Sequence, residues 1–122
     1  LLAKNVPGPC VGSISGQTCE GHQVAAGTAY FSASATYSCT SGDNSGCDFK
    51  FSSDVEVRDP FGGWLPYYDG GGDSWTDKCN DSNTYRWTGG LSGMPVNKYQ
   101  LVCGFSDGNT WKYTYGPFNI NY

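Results

Sequence analysis

Asp54 and Glu56 stand two residues apart, and a pair of acids facing one cleft is the arrangement that glycoside hydrolysis uses. They share an alternating segment with Lys50 and Arg58, so their spacing equally describes the salt-linked, solvated face of a strand. Glu20 and His22 would suit acid–base chemistry, but the chain has one His and is acidic overall. Serine is abundant without a G-x-S-x-G elbow, and any Ser-His-Asp triad would have to form around that same His22. Leu1 does not fit a copper site built on an N-terminal histidine. These residues argue against an enzyme, and no cofactor is expected.

Binding chemistry is better represented. Phe61, Trp64, Tyr67, Tyr68 and Trp75 lie among glycines and prolines between Asp59 and Cys79, and Trp87 follows. Rings with polar edges stack on sugar faces or anchor a protein partner. The same rings could instead fold back and cap an open end of the core. Asp69, Asp73, Asp77 and Asp81 recur every four residues, which makes the stretch a weak calcium candidate. Their spacing departs from the EF-hand pattern, and Asx-turns in a solvated loop account for them as well. Asn80-Asp81-Ser82 is a sequon, so Asn80 is a glycosylation candidate on a surface loop.

Six cysteines, Cys10, Cys19, Cys39, Cys47, Cys79 and Cys103, are spread over nearly the whole chain with no C-x-x-C pair. Zinc and thioredoxin-type sites need short paired spacings, so three disulfides and an oxidising compartment are the expectation. A mature, secreted, extracellular protein whose leader has been removed accommodates Leu1. Six cysteines allow fifteen pairings. Short loops favour Cys10 with Cys19 and Cys39 with Cys47, leaving Cys79 for Cys103.

The elements that must position these residues are strands. In Asp48 to Arg58, Phe49, Phe51, Val55 and Val57 alternate with polar residues; Thr28 to Cys39 alternates in the same way. Lys98 to Phe105 and Thr110 to Tyr115 flank Ser106-Asp107-Gly108-Asn109, a hairpin turn signal, with Trp111, Tyr113 and Tyr115 on one face of the second strand. Gly116-Pro117 is expected to break that strand before a short closing one from Phe118, and Tyr85 to Trp87 to form another, ended by Gly89-Gly90. His22 is expected in an exposed loop, and Asp59 to Cys79 as one long aromatic and Gly-rich loop. Residues 1–122 read as one all-β domain, an antiparallel β-sandwich or small β-barrel stapled by disulfides.

The composition narrows the partners. A net charge of −4 removes the basic footprint that nucleic-acid binding needs, and no apolar stretch approaches the 18 residues of a membrane span. Neither nucleic acid nor membrane insertion is expected, and a monomer is.

In its size, its six cysteines from Cys10 to Cys103 and its aromatic, Gly-rich Phe61 to Trp75 region, the chain resembles small secreted fungal proteins of the hypersensitive-response-inducing elicitor type. The resemblance implies a protein that a plant host detects at the cell surface, triggering defence and cell death by recognition. The partner would be a host cell-surface protein. The alternatives are a carbohydrate-binding module on cell-wall polysaccharide, using the rings above, and an antimicrobial or killer-type toxin.

Overall fold

The computed structural model describes residues 11–40 and 46–122. Alternation leaves each strand one apolar face, and stacking two sheets is how the chain removes those faces from water. The described strands are β1 (Val11–Ala25), β2 (Thr28–Thr40), β3 (Cys47–Arg58), β4 (Trp64–Asp77), β5 (Asp81–Leu91), β6 (Asn97–Ser106) and β7 (Trp111–Ile120). One sheet runs β1-β2-β5 and the other β4-β3-β6-β7, with every pairing antiparallel. The all-β sandwich expected from the sequence is the observed architecture.

Between the sheets, Phe31, Ala33, Ala35 and Tyr37 of β2 face Phe49, Phe51 and Val55 of β3 and Tyr99, Leu101 and Phe105 of β6. The hairpin between β6 and β7 forms as its Asp-Gly sequence predicts. Gly108 takes φ +97°, and the Asp107 carboxylate accepts hydrogen bonds from the Asn109 and Thr110 amides. Burial alone would raise the Asp107 pKa, but those amide bonds outweigh it and hold the carboxyl below its ordinary range.

Several expectations need correction. The stretch from Asp59 to Cys79 is not a long loop. Phe61 to Gly63 make a turn, and β4 then pairs with β3 along almost its whole length. Most of β4 stays exposed on both faces, so no side-chain period announces it. Two register shifts also disturb its alternation, with Gly71 at φ +77° in one and Tyr67 the extra residue in the other. Pro117 does not interrupt β7, because β7 is a sheet edge and a missing N–H there breaks no ladder. Gly89 and Gly90 do not end β5 but pair with Phe31 and Tyr30. His22 is exposed on β1, not in a loop, with its ring 5.7 Å from that of Tyr30.

The cysteine pairing also differs. Cys19 of β1 bonds Cys103 of β6, joining the two sheets, while Cys39 bonds Cys47 as expected. The pairs Cys10/Cys19 and Cys79/Cys103 are therefore excluded. Cys79 is itself disulfide-bonded, and Cys10 lies outside the described residues. Sheet stacking decides which core-facing cysteines meet, and sequence proximity does not. Because the bond from Cys19 to Cys103 spans 84 residues and that from Cys39 to Cys47 spans 8, their removal should differ in effect. Replacing the first pair by alanine should lower unfolding free energy by about 4 to 5 kcal/mol and the second by about 2 to 3, read from urea titrations. Equal losses would refute chain entropy as the cause.

Candidate functional site

The outer face of the four-stranded sheet is laid out by register. Residues paired across adjacent strands point to the same side, so the face can be read as rows. One row is Gly72, Ser52, Gly104 and Tyr113; the next is Asp69, Asp54, Val102 and Tyr115; the next is Pro66, Glu56, Gln100 and Pro117. Ser74, Lys50, Ser106 and Trp111 lie beyond one end, and Trp64 with Arg58 beyond the other.

Along β7 the three rings stay in solvent, Trp111 at 43%, Tyr113 at 54% and Tyr115 at 55% exposure. Trp111 and Tyr113 lie with their planes 16° apart and centroids 6.2 Å apart. Gly104 makes room beneath them: a Cβ there would stand 3.0 Å from the Tyr113 ring and 3.1 Å from the Trp111 ring, and would collide with the Ser52 hydroxyl. The opposite face of β7 carries the buried Phe118 and Ile120, so the aromatic side is the one turned away from the core.

A shallow groove of about 630 Å³ runs between Tyr113 and Tyr115 on one side and Trp64 on the other, floored by Val102, Gln100, Glu56 and Asp54. A second groove of about 400 Å³ continues it toward Asp69, Tyr67 and Tyr68, sharing Asp54, Glu56 and Val102. Gln100 Nε2 donates to Glu56 Oε1 at 2.6 Å, fixing one carboxylate oxygen and leaving the other for a ligand. The Arg58 guanidinium lies 5.5 Å from the centroid of the Trp64 ring, against its π face.

Asp54 is pushed above the ordinary carboxylate range by burial first, then by a hydrogen bond and charge repulsion from Asp69 and by the charge of Glu56; the Gly70 amide acts the other way. A raised carboxyl pKa stabilises the fold fully below its unfolded value, and that contribution is lost as pH rises through the folded one. Ionising Asp54 in the groove therefore costs the folded protein stability.

The residues picked out from the sequence separate into groups. Trp75 lies in the core wall, stacked on Tyr85 at 4.7 Å and meeting Tyr37 edge to face at 4.9 Å. Trp87 packs on Phe51 and, with Tyr68, Phe31 and Leu101, lines a tighter cleft of about 230 Å³ between the sheets. Tyr67 packs on Tyr99, Trp64 borders the larger groove, and Phe61 stands 97% exposed at the turn before β4. Asp69 pairs with Asp54, Asp73 accepts from the Tyr85 hydroxyl, Asp81 accepts from Ser82 and Asn83, and Asp77 lies opposite Cys47. Among the described residues no three acidic, His or Cys side chains gather as metal ligands. Asn80 is exposed, at φ +64°, where the chain passes from β4 to β5.

Trp111, Tyr113 and Tyr115 were not singled out as binding residues. Period two puts the three aromatics on one face of a strand without saying which face is buried, and the buried Phe118 and Ile120 further along β7 show that it is the other.

No family model and no curated protein matches the sequence. Among solved structures, a GH3 β-glucosidase of Bifidobacterium adolescentis aligns with TM-score 0.52 at 14% identity, over 88% of this chain and 17% of that one. The chain thus spans under a fifth of that enzyme's length, and the likeness is one of fold alone. The structural-genomics targets SoR45 and, from Bordetella pertussis, BeR40 align at 14% and 12% identity. They cover 91% and 94% of this chain, 86% and 96% of their own, with TM-scores of 0.34 and 0.36.

Burial separates core rings from surface rings in a way stability can report. Trp75→Ala and Trp87→Ala should each lower unfolding free energy by about 3 kcal/mol. Tyr113→Ala and Tyr115→Ala should stay within about 0.5 to 1 kcal/mol of the parent. Thermal or urea unfolding of the four variants checks the division, and a reversed order would place the core on the wrong face.

Proposed function

We propose that the protein is a secreted, non-catalytic recognition module that binds a glycan across the outer face of its four-stranded sheet. The observation that supports this reading is the exposed pair Tyr113 and Tyr115 facing Trp64 across a groove floored by Gln100, Glu56 and Asp54, with the exposed Trp111 continuing the stripe beyond it. Ring faces take up the apolar faces of pyranoses while amide and carboxylate groups between them accept and donate hydrogen bonds to hydroxyls. Seating the platform on paired strands keeps it pre-organised, which limits the entropy lost on binding. The cleft beside Trp87 is smaller than ordinary ligand sites and lacks room for a polymer. Disulfides fit an oxidising, extracellular setting.

Sedimentation with insoluble cell-wall polysaccharides, followed by tryptophan fluorescence in the supernatant, is the test. Depletion should occur on at least one polymer and fall roughly tenfold in Tyr113→Ala/Tyr115→Ala, with the fold intact. No depletion on any polymer removes this reading.

Host recognition as a fungal elicitor is a second proposal, favoured by Phe61, a fully projecting ring at a turn tip of a disulfide-locked scaffold. Such a ring suits a pocket on a protein partner. Infiltrated protein should then cause leaf necrosis that Phe61→Ser weakens; necrosis unaffected by the substitution would move the contact elsewhere, and no necrosis would end the proposal.

A further inference from the structure

The charge of the groove is sorted along the face. Its middle rows carry Asp69, Asp54 and Glu56, and among the described residues no Lys or Arg lines either of the two connected grooves. Positive groups that share the face stand at its ends: Lys50 four residues before Asp54 on β3, Arg58 two residues beyond Glu56, and Lys98 beyond Gln100 on β6. Same-face neighbours along a strand are about 7 Å apart, so Lys50 lies about 13 Å along the strand from Asp54. Arg58 is turned onto Trp64. On β7 the titratable groups facing the acids are the phenols of Tyr113 and Tyr115. Asp54 is acted on by the two neighbouring carboxylates and relieved by a single amide, that of Gly70.

Carboxylates accept hydrogen bonds from the hydroxyls of any sugar, but an ammonium adds a charge attraction that a neutral sugar lacks, and an acidic sugar is repelled. Aromatic faces beside carboxylates suit a cation carried on an apolar ring, since ring quadrupole and carboxylate attract the same charge. Arg58 over Trp64 shows a π face of this surface already accepting one. Resting on the glycan-binding reading above, we propose that the sugar selected by this face is an amine-bearing one, a glucosamine polymer, whose ammonium groups meet Asp54, Asp69 and Glu56 while its rings lie on Tyr113 and Tyr115.

The pH dependence follows from both partners. Binding needs ionised carboxylates and a protonated amine, so affinity should peak in mildly acidic solution. It should fall as pH drops through the carboxylate range, beginning with Asp54, whose pKa is raised, and again above neutrality, where the amine loses its proton.

Calorimetric titration of the intact protein with three soluble hexamers tests this: glucosamine, N-acetylglucosamine and neutral glucose in β-1,4 linkage. At about pH 6 the glucosamine hexamer should bind at least tenfold tighter than the other two. About 0.5 M salt should weaken it, as should Asp54→Asn/Glu56→Gln, which keeps side-chain size and the acceptor for Gln100. If that variant misfolds, Asp69→Asn provides the same comparison. Equal or tighter binding of a neutral hexamer overturns the amine preference and leaves the glycan module standing. Failure of all three hexamers, together with no depletion on any insoluble polymer, removes both. Oligolysine binding as tightly as the glucosamine hexamer would reduce the site to a bare charge attraction and overturn the inference.

Discussion

The face-to-face packing of two antiparallel sheets through an aromatic core is the constraint on which the rest depends, and Tyr37 is its centre. Its ring meets Phe49 at 4.8 Å, Trp75 at 4.9 Å and Phe105 at 6.4 Å, while its hydroxyl donates to the Lys50 carbonyl. Burial holds that phenol well above its ordinary pKa, so it stays neutral. Tyr85, stacked on Trp75, donates to Asp73 and ties β5 of one sheet to β4 of the other. These contacts fix the distance between the sheets, and the Cys19–Cys103 bond fixes their alignment.

Because the inner faces are locked, the outer face inherits a definite register. The ladders β4-β3, β3-β6 and β6-β7 bring residues from four strands into the same rows, and Gly104 and Gly72 keep the surface low between larger side chains. A slip of one residue in β7 would turn Trp111, Tyr113 and Tyr115 into the core and expose Phe118 and Ile120. Gly116 guards against it: a Cβ at that position would collide with the Cys19 carbonyl, so the position must stay glycine where β7 passes β1. Structure and surface chemistry are thus set by the same contacts.

Much of the fold was legible in the chain. Phe49, Phe51, Val55 and Val57 announced β3, and Asp107-Gly108 announced the β6–β7 turn, because period-two alternation and positive φ are local properties. β4 was not legible, since an edge strand with two register shifts and four glycines and prolines among its residues keeps no period. Among the aromatics chosen for binding, Trp64 lines the groove, whereas Trp75 is drawn into the core by Tyr37 and Tyr85.

The amino-acid sequence by itself determined the class: alternating strands, glycine turns and dispersed cysteines admit little but a disulfide-bonded β fold, since each depends on residues near one another in the chain. Tertiary structure decided which cysteines join, which face of β7 meets water and which carboxylates become neighbours. Asp54 meets Asp69, and Glu56 meets Gln100 44 residues away, only when separate strands align. Those outcomes depend on how two sheets stack, and that is settled by the summed burial of both apolar faces, not by the local pattern of either.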